Sequence, residues 1–352
     1  MAVVGATALV GNDLVVVADA AVVIADGAIL TVERRADIQI SEGVDVFDAR
    51  GATLIPGFID AHVHIGFAEP RAILAGGVTT VRDLGWPPAR IAPLVSASRA
   101  ADFAGPTILA AGPILTTPGG YPTRAAWAPP GTGLEVADPG AARGAVASVA
   151  DSGAVVVKVA LDPSVGPVLD PATLTAIVDA AHARGLRVTG HVYGLEQLDK
   201  AIDARMDELA HMLLSDERIP APMLARMVEA RMAVVPTLSI FSGPELRTAI
   251  ANLYAFRNAG GTVVYGTDLG NEGPRPGIDP SEIRAMATAG MSGLDIIRAA
   301  TVDAAGWLRL GSTGSIAEGN DADLVLIDGD PAAAPEVLTD IVAVWRHGAR
   351  VR

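Results

Sequence analysis

Phe58-Ile59-Asp60-Ala61-His62-Val63-His64 reads as a buried strand that ends in a pair of histidines. Side chains two apart on a strand leave the same face, so both imidazoles can grip one cation. The alternative is a pair of core histidines, each of which would then need its own buried partner. From Gly57 onward, apolar strand-like runs alternate with helical stretches, the pattern of βα units around a parallel sheet. The predicted strands are Phe58 to His64, Val78 to Asp83, Thr107 to Ala111, Ala154 to Ala160, Arg187 to His191, Glu208 to His211, Ala233 to Thr237 and Thr262 to Asp268. Eight such strands predict an α/β protein with a (β/α)8 TIM barrel over residues 57–305. A doubly wound sheet shares this alternation, so the strand ends carry the decision.

Outward from the barrel, residues 1–56 read as short strands around the turn pairs Asn12-Asp13 and Asp26-Gly27. Residues 306–352 return to strand-and-turn character, and the two chain ends are expected to form one β-sandwich module. Pro171 to Arg184 is predicted helical after Asp170, and Ser292 with Asp295 reads as a capping box for a helix running to Leu308.

A chain of 352 residues, 50% hydrophobic, can bury a barrel of ~250 residues with a small second module. Its net charge of −14 repels phosphate backbones and anionic membranes, which sets nucleic acid and membrane aside as partners. The chain has no cysteine, so a bound metal must rest on imidazole and oxygen ligands, and a reducing cytoplasm fits. The apolar N-terminus lacks a basic leader and is interrupted by Asp13, Asp19 and Asp26, and so reads as mature structure. No run approaches the ~18 apolar residues of a membrane span.

Lys158 and Lys200 are the only lysines. Lys158 lies in Val155-Val156-Val157-Lys158-Val159-Ala160, where an unpaired ammonium is strongly disfavoured. Reaction with carbon dioxide would give a carbamate able to bridge two cations; a salt bridge or snorkelling is the alternative. The scarcity of lysine favours the carbamate. His191, His211 and Asp268 each end a predicted strand, at the rim where barrel enzymes carry their chemistry. Asp268 could instead cap a helix, but Gly270 and Pro274 argue for a loop after it. His182 and His347 read as surface residues.

His62-Val63-His64, Lys158, His191, His211 and Asp268, on strands one, four, five, six and eight, resemble the amidohydrolase superfamily. Leu54-Ile55-Pro56-Gly57-Phe58-Ile59-Asp60, Gly76-Gly77-Val78-Thr79-Thr80-Val81-Arg82-Asp83 and Gly319-Asn320-Asp321-Ala322-Asp323-Leu324 are similar to its imidazolonepropionase-like and prolidase-like branch. The resemblance implies two divalent metals, zinc as the usual occupant. His62, His64 and Asp268 would hold one, His191 and His211 the other, with N6-carboxylated Lys158 bridging them. It further implies a metal-bridging hydroxide that attacks a carbonyl, with Asp268 carrying the proton to the leaving group.

The Gly- and Pro-rich segment Gly112 to Asp138 suits a binding loop that offers Tyr121, Arg124 and Trp127. Tyr193 and Arg275 are expected to meet a substrate carboxylate or polarise its carbonyl. By analogy with prolidases, the expected substrates are dipeptides or N-acyl amino acids. A cyclic-amide, lactone or carbamate hydrolase, a one-metal deaminase and a catalytically silent scaffold are the competing readings. Pairing through outer helices into a homo-oligomer is expected.

Overall fold

Asp26 and Gly27 both take left-handed backbone angles, φ 50° and 83°, as a two-residue hairpin between right-twisted strands requires. This turn joins the strand Val15–Ala25 to Ala28–Arg34. In the computed structural model, which describes residues 1–352, both chain ends build one hydrogen-bonded sheet of eight strands. In it Leu324–Asp328 pairs antiparallel with Ala52–Pro56, and Ile341–Arg346 pairs with Leu324–Asp328. Trp345, Leu54, Val22 and Ile24 pack its inner face. Val15–Ala25 is one continuous strand of eleven residues. Asp19 takes φ 48°, and the pairing with Ala2–Val10 shifts register nearby, so a bulge breaks the alternation without ending the strand.

Eight parallel-sheet strands follow: β1 Phe58–Val63, β2 Val78–Asp83, β3 Thr107–Ala110, β4 Val156–Leu161, β5 Arg187–Val192, β6 Glu208–Leu209, β7 Ala233–Val234 and β8 Thr262–Val263. Ladders join β1 to β2 to β3, and β4 through β8 in order. A short parallel pair, Ile114–Thr116 with Gly133–Glu135, extends the second group beside β4. Between the groups, Val155 N donates to Ala110 O at 3.0 Å. At the opposite edges Ala61 N donates to Tyr265 O at 3.0 Å and His64 N to Leu269 O at 2.7 Å. The last three strands are shorter than their predicted runs, although backbone hydrogen bonds such as Val235 N to Leu209 O and Val264 N to Val234 O continue beyond them.

Asp170 caps the helix Pro171–His182 by accepting from Ala172 N at 2.9 Å and Thr173 N at 3.0 Å. The Ser292 and Asp295 capping box opens Gly293–Ala300 as expected, but the helix breaks at Thr301 and resumes at Val302–Leu308. The break follows from redirected carbonyls. Ala299 O accepts from Tyr265 N at 3.0 Å, and Ile297 O accepts from the Thr301 hydroxyl at 2.6 Å. No helix is long and apolar enough to cross a membrane.

Among the strands, Arg82 of β2 reaches Glu208 of β6 at 2.6 Å, with side chains only 2% and 1% exposed. Arg82 Nε also donates to Ala61 O at 2.8 Å, and the Thr189 hydroxyl donates to Glu208 at 2.6 Å. The Trp307 indole donates to the other Glu208 oxygen. All the strong partners of this pair are therefore satisfied.

Glu282 is also buried, on the helix Pro280–Thr288, and accepts from Ser239 N at 2.7 Å. Burial pushes its carboxyl up from 4.5 to about 8. Between those values the folded state binds one proton more than the unfolded chain. Its contribution to stability is thus complete below pH 4.5 and lost as pH rises through 8, with a slope of at most ~1.4 kcal/mol per pH unit. Urea unfolding of Glu282→Gln against the parent at pH 5 and pH 8 should show a flatter pH dependence in the variant. Parallel curves would exclude the effect.

Candidate metal centre

β1 delivers His62 and His64 from one face, as the two-residue spacing requires. β4 delivers Lys158 and β5 delivers His191, while His211 lies two residues beyond β6 and Asp268 five residues beyond β8. All six side chains line one cavity of about 250 Å³. His62, His211 and Asp268 present donor atoms that all lie within 4.8 Å of one another. Asp268 Oδ1 stands 3.2 Å from His62 Nε2 and 3.3 Å from His64 Nε2, and its Oδ2 is 3.8 Å from His211 Nδ1.

The neighbours of each ring fix how it faces. His62 Nδ1 lies 2.7 Å from Ala210 O, which can only accept, so that nitrogen donates and Nε2 turns a lone pair to the centre. His211 Nδ1 meets the Thr237 hydroxyl at 2.9 Å, and its Nε2 faces His191 Nδ1 at 3.2 Å. His191 Nε2 lies 3.1 Å from Asp162 Oδ2. The carboxylate needs a donor there, which leaves the His191 Nδ1 lone pair turned toward His211 Nε2.

Burial drives His62 and His211 well below the ordinary imidazole value and lowers His191 as well. His64 departs upward: burial opposes its charge, but contact with Asp268 outweighs it. Asp162 is held low, because its bonds from His191 and Ser164 overcome the effect of burial. Burial lowers Lys158 to about 7, so much of its amine is uncharged near neutral pH.

Four buried polar atoms of the cavity-lining ligand candidates have no hydrogen-bond partner: His62 Nε2, His64 Nδ1, Asp268 Oδ1 and Lys158 Nζ. Unpaired groups of this kind are costly unless something fills their valence. Lone pairs of imidazole and carboxylate converging in a dry cavity suit a divalent cation, so the residues fit a metal.

Asp60 holds the two sides of the centre together. Its carboxylate accepts from His62 N at 3.1 Å, Thr267 N at 3.1 Å and the Thr267 hydroxyl at 2.6 Å. Asp268 follows with φ 59°, and Asn271 Nδ2 donates to its Oδ2 at 2.7 Å. No helix begins there, in keeping with the loop expected after Gly270.

Of the residues expected to bind substrate, Tyr121 lines the cavity. Arg124 is exposed and lines a neighbouring cavity on the far side of Tyr121 and Trp127. Tyr193 is 39% exposed and Arg275 is exposed, and neither lines the metal-side cavity. Sequence reasoning passed over Asp162, Thr237 and Asn271. Asp162 had a usable signal, since Lys158, Ala160 and Asp162 alternate onto one face along β4 and its end. Asp162→Asn is expected to weaken metal binding 10–100-fold, as measured by competition with a chromophoric chelator. An unchanged affinity would exclude Asp162 from orienting His191.

The model of the amidohydrolase family matches residues 53–351, a span that holds every residue of this centre. The chain belongs to the amidohydrolase family. It is 31% identical over 340 residues to an uncharacterized protein of Mycobacterium tuberculosis, covering 87% of both chains. It is 25% identical over 329 residues to the enamidase of Eubacterium barkeri, covering 87% of this chain and 81% of the enamidase. The fold superposes on that of a Xaa-Pro dipeptidase with bound methionine at a TM-score of 0.85 and 23% identity, covering 99% and 98% of the two chains. Divalent metal use is the rule implied by this family, and His62, His211 and Asp268 form a candidate site for it.

Proposed function

We propose that this amidohydrolase uses two divalent metals, zinc by preference, to hydrolyse the C–N bond of an amide in a small-molecule substrate. The reading is carried by one observation: six candidate ligands carried by five strands line one cavity, and four of them bring buried polar atoms without a hydrogen-bond partner. His62, His64 and Asp268 would hold one ion, His191 and His211 the other, and Lys158 would be shared between them. When bound, two such ions supply Lewis acidity for a carbonyl and a water acidic enough to ionise near neutral pH.

The chain's own groups do the rest. The uncharged Lys158 amine can add to carbon dioxide and release a proton, giving a carbamate that relieves its orphaned position. Asp268 Oδ1 accepts the proton released by the attacking water and returns it to the leaving nitrogen as the C–N bond breaks. A carboxylate and an amine are the products. Tyr121 and Trp127 cover the cavity and exclude water. We read β1 to β8 as one closed (β/α)8 barrel over residues 57–305, with 1–56 and 306–352 as the terminal β module. The hydrogen bonds at both sheet edges and the Arg82–Glu208 pair support closure.

The sequence resemblance pointed to dipeptides or N-acyl amino acids as substrates. A screen of these with lactones and carbamates, on metal-replete protein, tests the activity; silence in every class would favour a scaffold. Metal analysis tests the centre. The parent should carry two ions per chain and Lys158→Met fewer, with a carbamate carbon signal from 13C-enriched bicarbonate only in the parent. One ion together with a tolerated Lys158 change would favour the one-metal deaminase reading.

A further inference from the structure

Apart from Gly270 and Asn271, whose amide donates to Asp268, the cavity lining outside the candidate ligands is apolar and aromatic. Phe67, Ile114, Trp127 and Ile240 line it with Tyr121. The Tyr121 ring lies over His191 at 5.0 Å between centroids and inclined by 31°. Trp127 leans on His64 at 5.3 Å, and Phe67 backs Trp127 at 6.3 Å. This wall is fixed by its own segment: Gly119 N donates to Glu135 at 2.8 Å and the Thr123 hydroxyl to Gly120 O at 2.6 Å.

No arginine lines this cavity, and its one lysine is Lys158. A substrate carboxylate seated against the aromatic wall, away from the ligand cluster, would therefore lose water without meeting a cationic side chain, which is strongly unfavourable. The net charge of −14 adds a repulsive field for anions outside. A flat uncharged ring, by contrast, finds stacking and edge contacts on Tyr121 and Trp127.

We infer that the substrate is an uncharged aromatic amide, its ring lodged between Tyr121, Trp127 and Ile240, rather than a dipeptide or N-acyl amino acid bearing a free carboxylate. This rests on the metal-dependent amide hydrolysis proposed above and narrows its substrate class. Tyr121 and Trp127 select the ring, and the absence of a cationic side chain on that wall disfavours an acid there.

Two probes of nearly equal shape isolate the charge: 4-acetamidobenzamide and 4-acetamidobenzoate. Their affinities for the metal-loaded protein are measured by calorimetry and as KM or competitive Ki. The neutral amide should bind at least tenfold more tightly, and Trp127→Ala should weaken it about tenfold with bound metal unchanged. Equal or tighter binding of the benzoate would overturn the inference, as would an indifferent Trp127→Ala. Failure of all substrates to turn over would count against the hydrolase reading, while the calorimetric comparison would still decide this one.

Discussion

Asp268→Asn is expected to lower kcat for amide hydrolysis by a factor of about 10²–10⁴, the usual contribution of a positioned proton carrier. The amide matches the carboxylate in size, so the hydrogen bond from Asn271 and the left-handed backbone at this position can persist. What is lost is a group that can take up a proton between His62 and His64, at 3.2 and 3.3 Å. Measuring kcat beside metal content separates the two duties of this residue. A loss of metal would report on ligation, and a loss of rate with metal retained would report on proton transfer. Full activity in the variant would remove Asp268 from both.

The second large effect concerns stability. Arg82→Met should destabilise the fold by about 3–5 kcal/mol, because it strands a buried Glu208 carboxylate. The loss arises from the unpaired charge more than from the broken bond. Replacing both partners, Arg82→Met with Glu208→Gln, should therefore recover much of the stability that the single change loses. Urea unfolding of the parent, single and double variants checks this, and a single-variant loss below about 1 kcal/mol would contradict it. Thermal melts should fall by roughly 5–10 °C for the single change.

The sequence disclosed those parts of the fold that repeat. β2 runs over the same residues as its apolar stretch, and the Asp26-Gly27 hairpin and the Ser292 cap follow from local chemistry alone. The ligand candidates were legible because a histidine or lysine inside an apolar run is chemically conspicuous. Features decided by distant partners were not legible. The helix break at Thr301 depends on Tyr265 approaching Ala299, and the outward placement of Arg124, Tyr193 and Arg275 depends on the path of whole loops. The substrate-binding roles expected of those three residues assumed reach from nearness in sequence. The loop after strand three instead turns Tyr121 and Trp127, not Arg124, to the metal side.

The Asp60 clamp to Thr267 joins residues 207 positions apart. A nascent chain therefore cannot assemble this centre until nearly the whole sequence from Asp60 to Asp268 has left the ribosome. Contacts of such long separation form slowly and late. Metal capture should then mark completion of folding rather than guide its start, and a fragment ending before residue 268 should be unable to assemble the complete centre.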